Sequence, residues 1–190
     1  MHTLTAANPL LDHCVSDDPE APYPVPGLPA FIDANGKLRA YAPAADLADL
    51  AARLFERHDG SLYAASGLRV AYSWKAAGGA KSGNAVLGAC KKLSDTEKFV
   101  AYHAAGDGAK PPEILIWLAT DHLRGATAYT VEACLFHELL HAGRTKKAAP
   151  TVLPHDCEMF GAEVRVYGLW RDALREADDA FRQMAMAVEA

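Results

Sequence analysis

No stretch of this 190-residue chain approaches 18 consecutive apolar residues, which argues against a membrane-spanning helix. The opening MHTLTAANPLLDHC lacks a basic start followed by a long apolar run, so no secretory signal is expected. The cysteines are few: Cys14, Cys90, Cys134 and Cys157 are scattered, with no CxxC spacing. That excludes a disulfide framework and a thiolate zinc knot, and a reducing, cytoplasmic setting is expected, release by lysis aside. Positive charge is also scarce. Nineteen Lys and Arg stand against 24 Asp and Glu, for a formal net charge of −5. Nucleic-acid proximity therefore finds no support in charge. The chain carries no internal repeat, and nothing in it sets an oligomeric state.

What is present is an ordinary globular balance, 51 % hydrophobic and 23 % charged, enough for a core. Residues 1–43 read as an irregular leader. Pro19, Pro22, Pro24, Pro26 and Pro29 remove backbone donors and fix φ there, giving an extended or disordered arm that can lie across the rest. Residues 44–190 read as a single domain. Leu47, Leu50, Ala51, Leu54 and Phe55 recur at helical spacing and predict an amphipathic helix over 44–58. GLRVAYSW alternates, with Leu68, Val70, Tyr72 and Trp74 on one face, and predicts a half-buried strand. After the turn KAAGGAKSGN, AVLGACKKLS is expected to return as the second strand of a hairpin. KFVAYHAA is a further strand candidate, and the dense apolar run EILIWLAT a buried strand. The expected fold is α+β: a small, mostly antiparallel sheet packed on a central helix, with helices before and after it.

That central helix is TAYTVEACLFHELLHAG, with Thr127 or Thr130 as its cap and Gly143 in a left-handed position at its end. It carries H-E-x-x-H at His137, Glu138 and His141. At the histidine and glutamate frequencies of this chain, about 0.02 such matches arise by chance. One helical turn separates the two histidines, so both imidazoles can reach one metal ion. Glu138 projects about 100° round the helix, where it can serve as general base toward a water. The bland alternative is a core helix whose histidines are only hydrogen-bonded.

A catalytic zinc needs a third protein ligand. HDCEMFGAEVRVYG offers His155, Asp156, Glu158 and Glu163. His155 is the favoured ligand and Glu158 the alternative, the loser orienting a histidine from behind. Asp156 can ligate, support a ligand or cap a helix, and Cys157 reads as a packed core thiol. Tyr167 is a candidate oxyanion donor, with a place at the core edge as the competing reading. His122, His103 and His58 read respectively as a loop, a strand-surface and a helix-end histidine. Arg144–Lys147 reads as a solvated basic turn suited to the helix C-terminus.

FHELLHAG followed by HDCEMFGAEVRVYG resembles the phage metallopeptidase family, as do LRVAYSWK, VLGACKKLS and EILIWLA upstream. The likeness covers about residues 66–170. It implies a zincin-like fold, His137 and His141 as zinc ligands, Glu138 as base and His155 as third ligand. More distantly the chain is similar to SprT-type metallopeptidases, which implies DNA-bound protein substrates. It lacks their cysteine-rich finger and basic surface. The function expected is zinc-dependent hydrolysis of a protein or peptide. The rivals are hydrolysis of a non-peptide amide and a non-catalytic metal-binding or interaction protein.

Overall fold

The computed structural model describes residues 14–81, 83–105, 110–154, 163, 166–168 and 170. In chain order they form β1 (Tyr41–Pro43), α1 (Ala45–Arg57), β2 (Val70–Lys75), β3 (Ala80–Lys81), β4 (Asn84–Ala85), β5 (Gly88–Lys92), α2 (Asp95–Ala105), β6 (Ile114–Ala119), α3 (Thr120–Leu123), α4 (Ala128–His141), β7 (Ala142–Arg144) and β8 (Pro150–Val152). The architecture is α+β, as expected. Helix α1 lies within the predicted span and buries Leu47, Leu50, Ala51 and Leu54. Among the described residues no helix is long and apolar enough to cross a membrane.

The main sheet has the order β1-β2-β6-β5. Strand β2 pairs antiparallel with β1 but parallel with β6, and β5 pairs antiparallel with β6. The expected hairpin between β2 and β5 does not form, because β6 lies between them. The physical reason is composition. ILIWLA is apolar on both faces and takes the centre, where Ile114, Ile116 and Leu118 are fully buried. GACKK ends in Lys91 and Lys92, both exposed, and suits an edge. The Gly-rich connection closes on itself as the small β3-β4 hairpin.

KFVAYHAA is helical, in α2, and not a strand. The signal lies just upstream, in Ser94-Asp-Thr-Glu97. The Ser94 hydroxyl accepts from the Glu97 N–H, and the Glu97 carboxylate accepts from the Ser94 N–H at 2.8 Å and from its hydroxyl. This reciprocal capping box starts a helix whatever the aromatic content that follows.

Prolines 19 to 29 do not keep the leader off the body of the protein. Pro22 bridges Thr127, and the Tyr23 N–H donates to the Ala126 carbonyl. Phe31 is buried in the core, and Tyr41–Pro43 is the sheet's other edge. Helices α1 and α4 cover one face of the sheet, with Leu50, Leu54, Trp74, Ile116, Leu118, Leu135, Phe136 and Leu139 in one core. The loop expected after the motif is a second small hairpin, β7-β8. Of the expected C-terminal helical region, the described Glu163, Val166 and Tyr167 are helical.

Candidate metal centre

The motif helix is held at its start by its own cap and by the leader. Thr127 Oγ1 accepts from the Thr130 N–H. The carbonyls of Ala21 and Pro19 accept from the N–H groups of Ala128 and Tyr129, so the leader's backbone satisfies donors that a helix start otherwise leaves open. Every residue from Val131 to Leu140 is buried. A helix apolar nearly all round belongs inside, which makes its polar members informative.

His137 and His141 are neighbours on that helix, with ring centroids 5.1 Å apart and planes at 78°. His137 is 5 % exposed and Glu138 6 %. Each histidine has a defined partner on Nδ1. His141 Nδ1 lies 2.7 Å from the Leu153 carbonyl oxygen. A carbonyl only accepts, so Nδ1 carries the proton, and in the neutral ring the Nε2 lone pair is left for ligation. His137 Nδ1 lies 2.6 Å from Glu163 Oε2. A carboxylate acceptor there imposes the same tautomer. This arrangement fits a metal held by two Nε2 atoms.

The Leu153 carbonyl is delivered by the β7-β8 hairpin. Gly143 does not take the left-handed cap position foreseen for it. Helix α4 ends with Ala142 in extended conformation, and Gly143 continues as strand. A Cβ on Gly143 would come within 2.7 Å of Leu153 Cδ1. Glycine is needed here for a close approach, not for a positive φ.

Glu138 faces the sheet edge. A Cβ on Gly88 of β5 would lie 3.1 Å from the Glu138 Cγ and 2.7 Å from Leu118 Cδ2. Two residues along β5, the Cys90 thiol is pushed up to about 12, by burial first and the Glu138 charge second. The Tyr72 hydroxyl is also pushed up to about 12, mainly by burial.

His155, Asp156, Glu158 and Cys157 lie outside the described residues. Among the described residues, no group of three or more His, Cys, Asp or Glu is arranged to hold a metal ion. The histidine pair is the part of the expected ligand set that lies within them. Tyr167 is fully buried, and its hydroxyl donates to Glu132 Oε1 at 2.8 Å. Its ring packs edge-on against Phe136. This placement matches the core reading of Tyr167, and burial with the Glu132 charge raises its pKa far above the ordinary range.

The remaining candidates have structural tasks. His122 Nε2 reaches the Gly79 carbonyl at 2.9 Å and pins the segment that leads from β2 into β3. His58 packs edge-on against Phe136. His103 is a helix residue, not a strand residue, and contacts Phe99 and Tyr102. Arg144 donates to the carbonyls of Ala148 and Gly67 and to Glu113, so it braces the hairpin. Nothing local in the sequence marks a task for Glu132 or Gly88, and Glu163 stands there only as one acidic residue among several. Their partners lie far along the chain, beyond any local spacing rule.

Taken together, a buried, capped helix whose two neighbouring histidines each have a partner on Nδ1, packed against a mixed sheet, defines an α+β protein with a candidate metal centre. The chain belongs to the family described as Putative phage metallopeptidase, whose family model matches residues 39–178. No curated protein and no solved structure matches it.

Proposed function

We propose that the chain is a zinc-dependent, zincin-like metallopeptidase that hydrolyses peptide bonds in a protein or peptide substrate. The observation that carries this reading is the pair of Nδ1 partners, Glu163 for His137 and Leu153 for His141, which turn both Nε2 lone pairs to ligation. His155 completes the ligand set, with Glu158 as the alternative and Asp156 as support. When bound, zinc supplies Lewis acidity, enough to make a water nucleophilic near neutral pH.

Glu138 is the general base. It takes the proton of the attacking water on a carboxylate oxygen and passes it to the leaving amine. Its burial beside β5 keeps bulk water from competing for that proton. Strand β5 is the sheet edge on this side, and among the described residues no strand pairs with its outer edge. An extended peptide adding there would pass the Glu138 carboxylate, with Gly88 leaving room for it.

The test is twofold. Purified protein should contain zinc by elemental analysis and cleave members of a peptide library. Glu138→Gln should keep the zinc and lose the cleavage. Retained cleavage in that variant would refute Glu138 as base, and a protein that binds no zinc would refute the metal reading.

A further inference from the structure

Glu163 sits in the interior with 0 % exposure, and both of its oxygens accept. Oε2 faces His137 Nδ1 at 2.6 Å, and Oε1 takes the indole N–H of Trp170. Trp170 is 7 % exposed. One carboxylate therefore stands between two N–H groups in a setting closed to water. The two donors differ in one respect. The indole proton is fixed on its nitrogen, whereas an imidazole can carry its proton on either ring atom.

We propose that Glu163 and Trp170 act together as a positioning pair that holds His137 in the Nδ1–H form. The proposal rests on His137 being a metal ligand, and it names what keeps that ligand competent. Trp170 locks the carboxylate by occupying Oε1, and Oε2 is thereby held toward the imidazole. An Nδ1–H ring turns its Nε2 lone pair to the metal, while an Nε2–H ring turns a proton to it.

Glu163→Gln tests this because an amide has one oxygen for two donors. Trp170 cannot surrender its proton, so the amide oxygen goes to the indole and the amide NH2 faces His137. The ring then accepts on Nδ1 and moves its proton to Nε2. Zinc affinity, read by chelator competition, should fall roughly tenfold to a hundredfold. Adding Trp170→Phe to Glu163→Gln frees the amide oxygen to turn to His137 and should restore most of the lost affinity. A purely structural role for Glu163 predicts the opposite, since the second substitution would add damage.

Nitrogen-15 spectra of histidine-labelled, zinc-free full-length protein give a readout independent of metal and activity. His137 should be Nδ1–H in the wild type and Nε2–H in Glu163→Gln. A wild-type His137 in the Nε2–H form overturns the proposal even if the variant fails to fold. Unchanged zinc affinity in Glu163→Gln, or no recovery in the double variant, also overturns it. If the wild type binds no zinc yet shows the predicted change of tautomer, the metal reading fails and the positioning of His137 by Glu163 stands.

Discussion

Gly88 and Glu138 approach so closely that a Cβ on the glycine would stand 3.1 Å from the glutamate Cγ. The same Cβ would meet the Trp117 carbonyl oxygen at 3.0 Å and Leu118 Cδ2 at 2.7 Å. Backbone on one side and packed core on the other leave little room to yield. Gly88→Ala should therefore destabilise the fold by about 1–3 kcal/mol, the usual range for overpacking. It should also displace Glu138 and lower the hydrolytic rate more than it changes zinc content. Urea denaturation and zinc analysis on the same sample check both parts.

Gly143→Ala addresses the other histidine. The new Cβ would crowd Leu153 at 2.7 Å from Cδ1 and 2.8 Å from Cγ. Leu153 presents the carbonyl that accepts from His141 Nδ1. Moving it loosens the ring orientation without touching a ligand. Zinc affinity should drop while the rest of the core is unaffected, a difference visible by chelator competition beside a denaturation curve.

Glu132 predicts the cost of losing the leader. It is fully buried, and its carboxylate accepts from the Val15 N–H, the Ser16 N–H and hydroxyl, and the Tyr167 hydroxyl, at 2.8 to 3.1 Å. Arg53 adds a bond to the Val15 carbonyl. Glu132→Ala would strand the buried Tyr167 hydroxyl, at about 1–3 kcal/mol, and the part-buried donors of Val15 and Ser16 at less each, so a loss of about 3 kcal/mol is expected. Deleting residues 1–26 should destabilise comparably, because it also removes the carbonyls that cap α4. A deletion that leaves the denaturation midpoint unchanged would show the leader to be dispensable.

These contacts mark how far the sequence could be read. Helices α1 and α4 were legible because periodicity and the Thr127 cap are local. The burial of β6 was legible because a run such as ILIWLA has nowhere else to go. Its place between β2 and β5 was not, since strand order depends on which edges the lysines of β5 can occupy. Helix α2 reads as a strand because of the aromatic residues in KFVAYHAA, although its box, Ser94 and Glu97, stands in the sequence just before them. At the candidate site, the spacing makes legible that His137 and His141 are neighbours on one helix. The role of Glu163 toward His137 depends on a contact across 26 residues that no short-range pattern encodes.

The α2 box carries its own prediction. The Glu97 carboxyl is held down at about 2, first by the hydrogen bond from Lys91 and then by those from Ser94. A carboxyl depressed in the folded state stabilises above its ordinary pKa of 4.5 and loses that contribution as pH falls toward 2. Ser94→Ala removes the acceptor of the Glu97 N–H and should cost about 1 kcal/mol. It should also move the Glu97 titration upward, which carbon-detected NMR would follow, and leave zinc binding unchanged.

Cys90 reports on Glu138 from the sheet. Its thiol is raised from 9.0 to about 12 because it is part-buried and because the Glu138 charge opposes a second negative charge nearby. The sign for stability follows. The folded state keeps the proton that the unfolded chain gives up above pH 9, so this contribution is whole below pH 9 and is lost as pH rises toward 12. Tyr72, raised from 10.0 to about 12, steepens the same alkaline decline. Since the thiolate is the reactive form, Cys90 in native protein should react with iodoacetamide at pH 8 far more slowly than a free thiol. Glu138→Gln removes the smaller of the two causes and leaves burial in place. Alkylation should therefore speed up in that variant without reaching the free-thiol rate. Mass-spectrometric rates at several pH values separate the two causes, and an unchanged rate in Glu138→Gln would mean that the carboxylate does not face Cys90.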